Sequence, residues 1–328
     1  MPETTYREAI RQALRGEMTR DDRVYILGED IGSYGGSYAV TRGFLDEWGP
    51  ERIIDTPIAE GGILGVATGA AMYGLRPIVE FMSMNFSLLA LDQICNHAAK
   101  LHYMFNGQMQ VPMVIRTAAG WGQLAATHSQ TFEAMYAYIP GLKVAMPATP
   151  YDAKGMLLSA IRDPDPVMFI EHSLLYSSRG EVPEEDYTVP LGKSVVNREG
   201  DDLTIVSYSR SLILAQQAAD KLAEQGISVE IIDLRSLRPL DMAPVLASVQ
   251  KTNRALVVEE DWRSYGVGAE IAARIQEEAF DYLDAPVLRL AAVEVPLPYA
   301  KNLERLCYPT DQDIVDASLK LLYRKASK

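Results

Sequence analysis

Cysteine is nearly absent: the 328 residues contain only Cys95 and Cys307, too few for a disulfide framework or a cysteine-rich zinc site. A reducing, cytoplasmic home is expected. Positive charge is also short, with 31 basic against 44 acidic side chains and a net charge of −13. Tight, sequence-independent binding to nucleic-acid phosphates or anionic lipid would be opposed by that charge, so no nucleic acid and no membrane are expected as partners. No apolar run reaches the roughly 18 residues of a membrane span, and the opening MPETTYREAI carries no basic segment followed by an apolar one. Neither G-x-x-x-x-G-K-[ST] nor G-x-G-x-x-G occurs, and there is no G-x-S-x-G elbow. The four histidines, His97, His102, His128 and His172, lack H-x-x-x-H spacing, which removes the zincin reading.

What is present is an alternating rhythm. An apolar share of 48% in a chain of this length suffices for two ordinary cores. Thr5 stands three residues before Glu8, a capping-box spacing, and Tyr6, Ile10, Ala13 and Leu14 share one helical face. Val24–Leu27, Pro77–Phe81, Met113–Arg116, Lys143–Met146 and Val167–Ile170 read as buried strands, with helices over Gly61–Tyr73, Phe86–Phe105 and Tyr151–Ile161 between them. The proline-bearing acidic tract Glu181–Gly192 breaks the pattern, reads as a linker and divides the chain into residues 1–185 and 186–328. Beyond it Leu203–Tyr208, Val229–Ile232 and Ala255–Glu259 read as strands, and Ser211 as the N-cap of a helix closed by Gly226. The fold class is therefore α/β, two parallel-sheet three-layer domains. The glycine-bearing loops Gly32–Tyr38 and Tyr265–Glu270 read as tight turns. Composition and spacing alone leave the chemistry of such a chain unassigned.

Longer segments carry more. GEDIGSYGGSYAVTRGF (Gly28–Phe44), the stretch Glu51–Lys100, THSQ (Thr127–Gln130) and Ile139–Tyr176 resemble the beta subunits of thiamine diphosphate-dependent 2-oxoacid dehydrogenase E1, of the transketolase-like family. EIIDLRSLRPLD (Glu230–Asp241), SVQKTNRALVVEE (Ser248–Glu259), YGVGAEI (Tyr265–Ile271) and DAPVLRL (Asp284–Leu290) continue the resemblance in the same order. Met84–Ile94 and the EEDW…YGVGAE stretch look most like the pyruvate members. The resemblance implies a pyrimidine-binding domain followed by a transketolase C-terminal-like domain. It also implies a split site, in which a partner alpha chain holds Mg²⁺ and the diphosphate with a G-D-G motif that this chain lacks, while this chain holds the aminopyrimidine.

Residue by residue, Glu60 in DTPIAEGG matches the family's catalytic glutamate, which hydrogen-bonds N1′ of the aminopyrimidine and so lets the cofactor's own 4′-nitrogen take the C2 proton. Flanking Ile58, Ile63 and Leu64 place it in a partly desolvated cleft, although a glutamate opening a helix is ordinarily just solvated there. Phe86 matches the ring that stacks on the aminopyrimidine, and Ile58 would line the same pocket; either residue type in such a place is ordinarily simple core. His128 follows a strand end, where α/β sheets bind ligands, and the resemblance gives it a role in acyl transfer to the lipoyl group of E2. Its loop departs from the usual family text, lacking a Gly-Pro start and carrying Thr127 in place of glutamine. Met113, Ala160, Ile161, Asp163 and Asp165 match positions where some relatives bind a structural potassium ion, though Asp165 stands where asparagine is frequent. His97, His172 and both cysteines match no family role and read as structural.

The expected activity is oxidative decarboxylation of pyruvate with acetyl transfer to E2. The expected assembly is an α₂β₂ heterotetramer containing an E1 alpha subunit and a second beta subunit, with E2 docking. The rivals are an acetoin or branched-chain 2-oxoacid dehydrogenase beta subunit and, from another class, a non-catalytic scaffold.

Overall fold

The computed structural model describes residues 1–122 and 124–323, which form two compact units: 1–122 with 128–191, and 124–127 with 192–323. In the first unit, six parallel strands lie in the spatial order Lys143–Ala145, Val167–His172, Val114–Ala119, Arg76–Phe81, Val24–Gly28, Ile53–Asp55. In the second the order is Leu288–Ala292, Ala255–Trp262, Leu203–Ser207, Val229–Asp233, with Val195–Arg198 added antiparallel at the edge. Both central strand sets are buried, as parallel strands covered by helices on both faces must be. Among the described residues no helix is long and apolar enough to cross a membrane.

Most expected elements are present. Thr5 caps Tyr6–Arg20 by accepting the Glu8 amide at 3.2 Å, and Tyr6, Ile10, Ala13 and Leu14 are buried as the pattern requires. Glu8 does not close the reciprocal bond of a capping box; its carboxylate pairs with Arg11. Three expectations shift. The helix expected over Phe86–Phe105 is three short pieces: a 3₁₀ turn Met84–Ala90, a π segment Gln93–Ala98 and an α turn Leu101–Met104. Ser211 lies inside its helix, which begins at Ser209. The division between units falls at Leu191/Gly192 instead of 185/186, because the acidic tract packs onto the helix Pro150–Arg162: Tyr187 stacks on Tyr151 at 4.6 Å, and the Val189 amide donates to the Gly155 carbonyl.

One buried ionic network ties the first sheet together. Arg116, 2% exposed, donates Nε and Nη2 to the two oxygens of Glu171 at 2.7 and 2.9 Å, and Nη1 to Glu80 at 2.7 Å. Burial opposes the guanidinium charge, but Glu171 and then Glu80 outweigh it and hold the group firmly protonated. The Tyr176 hydroxyl donates to Glu171 at 2.7 Å, and the Tyr176 ring stacks on Tyr38. A lone buried charge costs several kcal/mol, so neither carboxylate is tolerable without the arginine.

In the second unit the glycines of YGVG make room for an acid. Glu259 is fully buried, and one of its oxygens accepts the Gly268 amide at 2.8 Å where the helix Val267–Ala279 begins. A Cβ on Gly268 would lie 2.4 Å from the other oxygen, which has no hydrogen-bond partner among the described residues. Burial, with the Asp261 charge added, pushes the Glu259 carboxyl up to about 7 against the pull of the Gly268 amide.

Two outcomes are expected. Arg116→Met, which strands two buried carboxylates, should cost about 3–5 kcal/mol in denaturant unfolding; a change under about 1 kcal/mol would show that the network does not hold the sheet. Folded Glu259 keeps its proton up to about pH 7, whereas the unfolded chain releases it near the ordinary value of about 4.3. Its stabilising contribution is therefore whole below that lower value and is lost, by roughly 3 kcal/mol, as the pH rises to about 7. Urea midpoints measured across this window should fall less steeply for Glu259→Gln than for the parent chain; equal slopes would count against the assignment.

Candidate functional site

Strand register sets the site. Gly28 is level with Asp55 and Glu80, Phe81 with Thr117, and Ala119 with His172, so the C-terminal ends of five strands form one edge. Glu29, Glu60, the Met84–Phe86 turn, the segment leading to His128 and the turn after His172 all follow directly from that edge, where α/β sheets place their ligands.

Glu60 is the first residue of the helix Glu60–Met72 and is 3% exposed, so its carboxylate sits at the positive end of the helix. Gly61 allows the helix to approach the Met84–Ala90 turn, since a Cβ there would meet the Leu89 carbonyl at 3.2 Å. Ile58, two residues upstream, is 79% exposed, presenting apolar surface beside a buried acid. Phe86 and His128 meet edge to face, with ring centroids 5.1 Å apart and planes at 86°. Their neighbours are tied as well. Asn85 donates its side-chain amide to Gln130, and the Gln130 backbone amide returns a bond to Asn85 at 3.4 Å. Ser129 beside His128 is buried.

Sequence reading passed over Glu29. It is buried, one of its oxygens lacks a hydrogen-bond partner among the described residues, and its carboxyl is raised by burial first and by the Glu60 charge second. The available signal was its place immediately after a buried strand, on the edge that Glu60 shares.

The five residues matched to potassium lie at the other end of the strands. Met113 O accepts the Val167 amide at 3.0 Å, and Ala160 O the Asp163 amide at 3.3 Å. Arg76 donates to Ile161 O at 2.7 Å and Asp163 O at 3.2 Å. Lys143 Nζ stands between the carboxylates of Asp163 and Asp165, at 2.6 and 3.1 Å. Carbonyl and carboxylate oxygens suit a hard cation, and here an ammonium and a guanidinium are among their partners. Among the described residues no group of three or more His, Cys, Asp or Glu side chains is arranged to hold a metal ion. The remaining histidines make ordinary contacts: His102 Nδ1 lies 2.9 Å from Met109 O, and His97 lies 3.8 Å from Asp92.

A glutamate buried at a helix start, with an aromatic ring and an imidazole on the same edge, fits a flat heterocycle that needs one ring nitrogen protonated and one face covered. Known proteins resemble this chain over nearly its whole length. Residues 2–178 match the transketolase pyrimidine-binding domain, and residues 192–314 the transketolase C-terminal domain. The mitochondrial pyruvate dehydrogenase E1 component subunit beta-2 of Oryza sativa subsp. japonica is 51% identical over 330 residues, covering 98% of this chain and 87% of its own. The pyruvate dehydrogenase E1 component subunit beta of Rickettsia bellii is 49% identical over 322 residues, covering 98% and 99%. Among solved structures, a split-gene transketolase described as an inactive beta4 tetramer superposes with a TM-score of 0.78 at 25% identity, over 98% of this chain and 99% of that one.

Proposed function

This chain belongs to the family of pyruvate dehydrogenase E1 component beta subunits, and on that premise we propose how its own residues serve thiamine diphosphate-dependent oxidative decarboxylation of pyruvate. The observation that carries the reading is Glu60, buried at a helix start on the edge where Phe86 and His128 touch. Thiamine diphosphate supplies the carbanion chemistry that a protein side chain cannot.

Glu60 holds the aminopyrimidine through its N1′ nitrogen, and its burial strengthens that hydrogen bond by excluding water. Glu29 lies close enough to feel the Glu60 charge, and burial first and that charge second raise its carboxyl. Phe86 offers its ring to the pyrimidine and braces His128 from the side. His128, exposed and on the same edge, would donate a proton or hydrogen bond during acyl transfer to the lipoyl group of E2. Ile58 lies on the face we assign to the alpha subunit, which supplies Mg²⁺ and the diphosphate contacts as the resemblance implies. The assembly in this reading is α₂β₂, with E2 as the acyl acceptor. The positions matched to potassium stay part of this reading, with Lys143 offsetting one of the two carboxylate charges of Asp163 and Asp165. Relatives named mitochondrial and relatives from bacteria are about equally similar, so the family does not fix the compartment; cytoplasm remains our reading.

With the alpha chain bound, Glu60→Ala should lower pyruvate-dependent reduction of an artificial acceptor by about 10²–10⁴-fold. Full activity would remove Glu60 from the chemistry and revive a scaffold role. The chain alone should bind thiamine diphosphate and Mg²⁺ poorly by calorimetry; tight binding without an alpha chain would contradict the split site. In the same acceptor assay a preference for acetoin or branched-chain 2-oxoacids over pyruvate would move the chain to a sister activity.

A further inference from the structure

His172 matches no family role, yet it stands on the edge that carries the site. It ends the strand Val167–His172, level with Ala119, and is 1% exposed. Nδ1 accepts the Leu174 amide at 3.1 Å, which fixes the tautomer with the proton on Nε2. The Nε2 side of the ring covers Gly120, so closely that a Cβ on that glycine would lie 2.1 Å from Nε2. Gly120 has φ +86°, a conformation glycine adopts freely, and it is where the chain turns out of its strand toward His128. The next two residues continue the grip: the Ser173 hydroxyl donates to the Trp121 carbonyl at 2.8 Å, and Leu174 Cδ2 lies 3.7 Å from where a Gly122 Cβ would stand. Three consecutive residues at the end of one strand thus hold three consecutive residues after its neighbour.

We propose that His172, with Ser173 and Leu174, clamps Gly120–Gly122 and thereby fixes where the following segment presents His128, which makes His172 a positioning residue for acyl transfer. The segment is held at both ends. The clamp sets its departure from the sheet, and Phe86 with Asn85 receives its far end at His128 and Gln130. This is the loop whose start departs from the usual family text, and an imidazole over a bare glycine gives that start its shape. The inference rests on the proposed function, because it assigns His172 an effect on the step given to His128.

The test uses the chain assembled with its alpha subunit, measuring acetylation of a lipoyl domain and reduction of an artificial acceptor with pyruvate in parallel. Misplacement of a reacting group by about 1 Å costs up to 10²-fold. His172→Ala should therefore lower the ratio of lipoyl acetylation to acceptor reduction by about tenfold or more. His172→Asn restores an acceptor for the Leu174 amide but leaves Gly120 uncovered, so it should show the same loss. Gly120→Ala should also lower the ratio, because its Cβ would meet the His172 ring and its φ of +86° disfavours a side chain. An unchanged ratio in His172→Ala would overturn the proposal, and recovery in His172→Asn would reduce His172 to a turn cap. If the parent complex shows no thiamine diphosphate-dependent activity with pyruvate, the functional reading fails, independently of how these variants rank.

Discussion

The pairing of Arg116 with Glu80 and Glu171 is the interaction on which the first unit depends. Arg116 lies on one of the inner strands of its sheet, and its two partners lie on the strands either side. Shifting one strand by a single residue would turn its charged side chain to the opposite face and leave a buried ion alone, which is far more costly than a misplaced leucine. The network therefore specifies register as well as adding stability. It reaches the loops too: a Cβ on Gly36 would lie 2.8 Å from a Glu80 oxygen, and Tyr176 joins Glu171 to the stacked Tyr38. Register in turn decides which residues reach the ligand edge together.

Two glutamates show how similar placements diverge. Glu60 and Glu259 each meet the start of a helix in a buried position. Glu259 is enclosed by Gly266 and Gly268, whose missing side chains leave room for its carboxyl and nothing else. Glu60 is followed by a glycine that brings a neighbouring turn close, is preceded by an exposed isoleucine, and faces a second acid. The first arrangement anchors a helix, and the second sets a buried carboxylate beside exposed apolar surface.

Much of this was legible in the residues. The Thr5 cap, the five strands expected before the acidic tract and the helix opening at Glu60 follow from local spacing and apolar runs, signals that act over a few positions. The glycine loop at Tyr265–Glu270 reads as a tight turn, but what its glycines make room for, the Glu259 carboxyl, comes from the preceding strand. The break-up of Phe86–Phe105 into three kinds of helix was not legible, because an apolar pattern fixes burial and not the hydrogen-bond period. Nor was the cation in the Asp163–Asp165 cluster, since Lys143 comes from a different strand. Glu29 and His172 escaped for the same reason: their meaning comes from neighbours brought close only by the sheet.

The ligand edge gathers residues from Glu29 to Leu174, each after a different strand. Contacts of such long sequence separation require many loops to close before any of them is rewarded, and so they form slowly. No fragment of the first unit carries a reduced version of the site, since each missing strand removes one of its walls. The complete edge in a newly made chain should appear abruptly, when the last parallel strand docks, and not in proportion to the length already synthesised.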